Sequence, residues 1–93
     1  MAKAARKGDT DDLGHTIEGG CDDTVKIDGQ PAAVKGSTMD DGVDIISDTI
    51  DSVKINGKPI AVVGSMTDKH TKDPGKGKQG TINVGASSVN ISG

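Results

Sequence analysis

The chain has 93 residues, no Phe, Tyr or Trp, and only 31% apolar residues, so its hydrophobic core is expected to need help from a metal or a partner. Its net charge of −3, without a basic stripe or aromatic stacking residues, argues against a nucleic-acid role. Neither a signal peptide nor a membrane span can be identified, so we expect synthesis and folding in the cytoplasm.

The first element, residues 3–9, is half of a unit that recurs along the chain. Its sequence, KAARKGD, falls on PAAVKGS of residues 31–37 at a shift of 28 positions. A glycine-bounded loop then runs over residues 8–15, and a short strand is predicted through Ile17, with a turn at residues 20–23. The chain therefore opens on the second half of a repeat.

The complete unit is first seen in residues 25–37, VKIDGQPAAVKGS, and again in residues 53–65, VKINGKPIAVVGS. Nine of the thirteen positions are identical. Alternating apolar residues around Asp28-Gly29 and Asn56-Gly57 predict two β-hairpins with type I′ turns. Their loops, residues 36–43 and 64–70, match the first loop, and further strands are predicted through Ile45 and Ile82.

Turns are predicted at residues 48–51 and 85–87, and no segment has a helical period. The third unit is longer, because residues 71–80 add a Gly/Lys-rich segment. Three lysines there, with Lys69 just before them, form the only basic patch of the sequence. We interpret the segment as a solvated, exposed and mobile insertion, with contact to an acidic surface as the alternative.

The last element, VNISG of residues 89–93, repeats the first half of the hairpin at a shift of 36. Two complete hairpins and one divided between the ends of the chain make three units. The two halves can pair only if the chain closes into a ring. The sequence therefore predicts a single all-β domain over residues 1–93, with pseudo-threefold symmetry and adjacent termini.

These residues resemble the PAAR-repeat family, which forms small cones at the spike tips of contractile injection machines. The resemblance rests on the KAAR, PAAV and PIAV segments at residues 3–6, 31–34 and 59–62 and on the three glycine-bounded loops. The Pro-Ala-Ala-Arg signature is complete in none of them. The resemblance implies a small pseudo-threefold cone of short β-hairpins.

The family's role implies a structural, non-enzymatic function for this chain. One copy would cap and sharpen a trimeric β-helical spike, in a phage tail or a type VI secretion system, and touch the target-cell membrane transiently. Effector cargo is a further partner that the family suggests, although a chain ending at Gly93 is expected to carry no effector domain. The alternative is a small metal-binding module unrelated to a spike.

Three side chains are the predicted metal ligands: His15, Cys21 and His70. The two histidines close equivalent loops, so a threefold ring would bring them towards its axis. Imidazole and thiolate favour zinc, with iron less favoured. The resemblance to the PAAR family also implies zinc, since PAAR cones typically hold zinc with three histidines and one cysteine.

The middle loop has Val43 where a third histidine would stand. A water, a carboxylate such as Asp68 and a residue from elsewhere all remain open as the fourth ligand. The alternative is that the histidines are ordinary loop residues and Cys21 a buried thiol. The clustered aspartates of the loops are interpreted as solvated turn residues, and no catalytic residues or nucleotide-binding residues are predicted.

The hairpin turns, with the paired termini, are predicted to face the spike, because Val, Ile and Pro concentrate there. If the hairpin turns face the spike, Ile27→Lys and Ile55→Lys are expected to abolish capping while sparing the fold.

Overall fold

A computed structural model describes residues 2–92, and these contain short strands and turns without a helix. The all-β prediction is confirmed for this range; Met1 and Gly93 of the predicted domain lie outside it. The strands described are β1 Ala2–Lys3, β2 Ile17–Gly19, β3 Asp22–Ile27, β4 Gln30–Ala32, β5 Thr38–Met39, β6 Ile45–Ser47, β7 Ile50–Ile55, β8 Lys58–Ile60, β9 Met66–Lys69, β10 Gln79–Thr81 and β11 Asn90–Ile91.

Two antiparallel hairpins, β3–β4 and β7–β8, form at the predicted positions. Both residues of each turn have positive φ, at 51° and 81° for Asp28-Gly29 and 50° and 82° for Asn56-Gly57. This is the type I′ geometry, which Asn, Asp and Gly tolerate. The turn prediction is confirmed.

The long strand of each hairpin begins three residues earlier than its valine suggested. In β3, Asp22 pairs with Ala32 and the next pair is Lys26 with Pro31, so residues 23–25 bulge out of the ladder. The β7 strand bulges in the same way. The predicted turns at residues 20–23 and 48–51 are correspondingly shorter, because the strands already begin at Asp22 and Ile50.

The third hairpin is assembled from the two ends of the chain. Strand β1 pairs antiparallel with β11, with Ala2 opposite Ile91 and Lys3 opposite Asn90. This confirms that the ring is closed and that the two ends of the described range are neighbours.

The three units meet in a closed ring of backbone hydrogen bonds. Ala33 N–H donates to Ala5 C=O, Ala61 to Ala33 and Ala5 to Ala61, at 3.0, 3.0 and 2.9 Å. All three alanines are fully buried. Single β-bridges repeat this symmetry one residue to either side: Ala4 with Val62, Arg6 with Ala32, and Val34 with Ile60. A pseudo-threefold axis therefore runs between the alanines.

Apolar packing on either side of this ring follows the same symmetry. The described residues form two buried clusters, one around the hairpins and one around Ile17, Ile45 and Ile82 on the loop side. The molecule measures 30 × 23 × 22 Å, with one long axis and two nearly equal short ones.

Ile27 and Ile55 belong to the hairpin cluster and are only 7% and 8% exposed. A lysine at either position would put a charge into the core. The expectation that Ile27→Lys and Ile55→Lys would spare the fold is therefore corrected: these residues pack inside, because the hairpins turn their isoleucines towards one another.

The third unit departs from the other two on the loop side. Strand β9 pairs with β6, as β5 pairs with β2, but it also pairs with β10 in a hairpin of its own. The long connection between β9 and β10 contains the inserted residues. The strand predicted through Ile82 ends at Thr81, and Ile82 forms a single bridge with Asp11.

Candidate metal centre

His15 and His70 meet at the loop end of the molecule. Their rings are stacked, with centroids 3.8 Å apart and planes 18° from parallel. Both residues are buried, with 3% and 2% of their surface exposed. Each comes from one of the loops that follow an alanine of the central ring, so ring closure brings together two residues that are far apart in the chain.

Carboxylates face both nitrogens of the His70 ring. His70 Nε2 lies 2.6 Å from Asp11 Oδ2, and Nδ1 lies 2.8 Å from Asp41 Oδ2. The three side chains are almost wholly enclosed. The Asp11 carboxylate also accepts hydrogen bonds from the backbone of Leu13 and His15. Such complete enclosure of ionisable groups requires that each be paired.

The ring of His15 is also held at both nitrogens. Nδ1 pairs with Asp40, and Nε2 lies 2.7 Å from the carbonyl oxygen of Pro74 and 3.1 Å from that of Lys72. Burial by itself would lower the pKa of His15. The hydrogen bonds with Asp40 and Pro74 outweigh it, so the pKa is raised above the ordinary value of 6.5.

The inserted segment covers this histidine pair. Besides the Pro74 carbonyl on His15, Gly77 N–H donates to His70 C=O at 2.7 Å, and Thr71 N–H donates to Asp41. Gly75 lies against Leu13 so closely that a Cβ there would stand 2.6 Å from Leu13 Cδ1. The lysine side chains of the segment are exposed as predicted. Its backbone, however, is tied to the loop end of the fold.

The donor set fits a divalent metal. One ligand atom each from His15, Asp41 and His70 lie within 4.8 Å of one another. Imidazole nitrogens and carboxylate oxygens suit zinc, and two histidines with one carboxylate also suit ferrous iron. Acceptor oxygens face both nitrogens of each ring, and a metal ion held there would bring positive charge to these oxygens.

The structure brings together two of the three predicted ligands and not the third. Cys21 is half-buried beside the Ile17 cluster, with Sγ 3.8 Å from the carbonyl oxygen of Gly19. Burial raises the pKa of its thiol, which disfavours the thiolate that metals bind. Asp68 is exposed and accepts a hydrogen bond from Lys69 N–H, outside the group.

Sequence reasoning missed the carboxylates Asp11, Asp40 and Asp41. The interpretation of the clustered aspartates as solvated turn residues is wrong for Asp11, which is 3% exposed, and for Asp41, whose side chain is 1% exposed. A signal was available in the middle loop, where Asp40 and Asp41 stand shortly before Val43. In a threefold ring, carboxylates at that position face the histidines of the other two loops.

Acid should weaken the contacts between the histidines and the aspartates by protonating Asp41. Burial by itself would raise its pKa, but the hydrogen bond from Thr71 N–H and the pairing with His70 outweigh it and lower the pKa to about 2. A folded-state pKa below the unfolded value stabilises the fold above about pH 4, and this contribution is lost as the pH falls towards 2. We expect wild type to melt about 5–10 °C above Asp41→Asn at pH 6, with the gap closing by pH 2. Melts in chelator separate proton binding from metal release, and a gap independent of pH would contradict the expectation.

A family model of the PAAR motif matches residues 7–68, two thirds of the chain. The chain belongs to the PAAR family. No curated protein and no solved structure gives a significant match. The PAAR match agrees with the repeat, the ring and the glycine-bounded loops described above. The resemblance identified from the sequence is confirmed.

PAAR membership supports a structural role at the spike tip of a contractile injection system, in a secretion apparatus or a phage tail. It also implies association with a spike protein and a capacity to bind metal, for which the His/Asp cluster offers the ligands. Within residues 2–92, no helix has the length and apolar character needed to cross a membrane.

Proposed function

We propose that one copy of this protein caps a trimeric β-helical spike, tapers it to a point and is driven with it into a target-cell membrane. The observation that carries the proposal is the closed pseudo-threefold ring, which presents three equivalent hairpins at one end. A trimeric β-helix ends in three strand edges, which are an aggregation hazard if they stay open. A single chain with internal threefold symmetry can cover all three.

The three hairpins offer strand edges of their own. In each two-stranded hairpin the inner strand faces the neighbouring unit: β4 and β8 form bridges through Ala32 and Ile60, and Ala4, directly after β1, forms the third. The outer strands β3, β7 and β11 have no second strand beside them in the described chain. Strand addition at these edges would supply main-chain hydrogen bonds to the spike.

Apolar side chains that are at least partly exposed lie on or next to these outer strands. Val25 is 39% exposed, and Val53 and Val89, its repeat equivalents, are partly buried against the hairpin cluster. Ile50 and Ile91 lie partly exposed beside them. A threefold set of partly exposed apolar residues fits a threefold partner, and its burial would add to the main-chain contacts.

The capping proposal is tested by replacing the three valines together. We expect Val25→Asp/Val53→Asp/Val89→Asp to weaken binding to the trimeric spike protein by at least about 100-fold, because three charges would enter a desolvated contact. Complexes are measured by size-exclusion chromatography with light scattering, which also gives the ratio of one tip to three spike chains. Val25→Asp alone, at the most exposed site, is expected to show a smaller loss with the fold intact.

Ile46→Asp is the matched control. Ile46 is 37% exposed, similar to Val25, but lies on β6 outside the hairpins. It should bind the spike like wild type. Spike binding that survives the triple substitution would remove the hairpin end as the docking surface. A wild-type protein that holds metal but binds no spike would favour the alternative, a small metal-binding module.

We further propose that His15, His70 and Asp41 hold one zinc ion at the loop end, with iron as the less favoured occupant. Asp40 and Asp11 would orient the two imidazoles through hydrogen bonds, as outer carboxylates do in metal sites. The ion would lock together loops from the three units and stiffen the point. Cys21, a predicted ligand, is not part of this proposed set.

A further inference from the structure

Three lysines lie on the connection that covers the histidine pair, and a fourth, Lys69, ends the strand before it. Residues 69–78 carry Lys69, Lys72, Lys76 and Lys78 against a single acidic residue, Asp73. We call this segment the apical basic loop. All four lysines are exposed. The remainder of the chain carries seven basic and thirteen acidic residues, so positive charge is concentrated at one place on an otherwise acidic protein.

These lysines are available to a partner. In the part of the chain that the structure describes, ion pairs involve Arg6, His15 and His70, and none includes a lysine of the apical basic loop. The aspartates beneath the loop, Asp11, Asp40 and Asp41, are already engaged by the histidines. Asp73 accepts a hydrogen bond from Lys76 N–H at 3.4 Å. The four lysine side chains are therefore exposed and free of ion pairs within the described residues.

The position of the loop is fixed by contacts of its backbone. The Pro74 carbonyl on His15, the Gly77 N–H on His70 and the packing of Gly75 against Leu13 hold it over the loop end. The hairpins lie at the other end, beyond the central alanine ring. If the hairpins dock on a spike, as proposed above, the apical basic loop is the part that meets a target first.

We propose that the apical basic loop binds the phosphate headgroups of anionic lipids on the target membrane. Long, flexible lysines on an exposed loop suit many phosphates spread over a plane, since the ammonium group acts as a point charge without the fixed geometry of arginine. Clusters of this size are attracted to anionic leaflets, and the attraction falls off within a Debye length. The contact would hold the tip against the membrane at the moment of impact.

The test uses the free protein and vesicles of phosphatidylcholine with or without phosphatidylglycerol. We expect wild type to co-sediment with the anionic vesicles only, and to be released by salt. The variant Lys72→Glu/Lys76→Glu/Lys78→Glu should bind about 100-fold more weakly. Its metal content and melting temperature should stay at wild-type values, because the three side chains are exposed and only main-chain carbonyls of Lys72 and Lys78 reach the histidines.

The matched control is Lys26→Glu/Lys54→Glu/Lys58→Glu, which makes the same charge change on exposed hairpin positions. It should keep vesicle binding. An equal loss of vesicle binding in both variants would show that net charge alone matters. An absence of vesicle binding by wild type would show that the loop has no affinity for an anionic membrane. Either result overturns the proposal. The vesicle assay contains no spike protein, so its failure is distinct from a failure of capping. Capping is measured separately, by spike binding of the variant Lys72→Glu/Lys76→Glu/Lys78→Glu.

Discussion

Replacing His70 with alanine is expected to abolish binding of the proposed metal ion and to lower the melting temperature by at least about 15 °C. The ring is enclosed between Asp11 and Asp41, so its loss leaves two buried carboxylates with main-chain hydrogen bonds only. Breaking a buried pair of this kind costs about 3–5 kcal/mol, and each kcal/mol moves a domain of this size by about 4–8 °C. A structural zinc can add on the order of 10 kcal/mol of apparent folding free energy. Metal analysis of protein purified without added metal and thermal melts give the two readouts.

Chelator and a cysteine variant make the result interpretable. Chelator should lower the melting temperature of wild type and leave His70→Ala little changed. Cys21→Ser should keep both metal and stability, because the thiol lies outside the His/Asp group. A loss of metal in Cys21→Ser would reinstate the ligand predicted from the sequence. Sub-stoichiometric metal in wild type, with melts indifferent to chelator, would leave the histidines as partners of the aspartates alone.

Ala33→Leu is expected to destabilise the fold by about 3 kcal/mol or to prevent folding. The residue is fully buried where three chain segments approach closely enough to exchange backbone hydrogen bonds. Overpacking of a filled core costs about 1–3 kcal/mol, and here the added atoms would also press on the hydrogen bonds to Ala5 and Ala61. Urea unfolding followed by circular dichroism measures the change.

Ala2→Leu serves as the comparison, since Ala2 lies partly exposed at the edge of the hairpin cluster. It should cost less than 1 kcal/mol, a surface-like value of roughly that size being usual. The threefold symmetry adds a second check, because Ala5→Leu and Ala61→Leu should resemble Ala33→Leu. An Ala33→Leu protein with wild-type stability would mean that the axis has spare room.

Much of the architecture could be predicted because the hairpin unit occurs as two complete copies in the sequence. The repeat at 28 residues, the Asp28-Gly29 and Asn56-Gly57 turns and the half-repeats at the ends are local patterns, and symmetry turns them into a closed ring. The first residues of the long hairpin strands could not be predicted in the same way. Nothing in the alternation of apolar residues distinguishes a bulged strand from a turn, so Asp22 and Ile50 were placed outside the strands that they begin.

The candidate site could be predicted only in part. His15 and His70 stand out because imidazole is rare in this chain and both close equivalent loops. Aspartate is common in turns, so the direction of a side chain decides whether it is solvated or buried, and only the assembled ring fixes that direction for Asp11. Cys21 is a soft ligand by residue type, yet its place between β2 and β3 turns it towards the isoleucine cluster.

The pairing of β1 with β11 has a consequence for how quickly the molecule forms. Ala2 and Ile91 come from opposite ends of the described chain, so their contact closes almost the longest loop available. Each single hairpin is marginal in water by itself, and the alanine ring needs all three units. Little structure is therefore expected to persist before closure, and folding should be slow and all-or-none, with a time of about milliseconds to seconds, as for other small proteins dominated by non-local strand pairs.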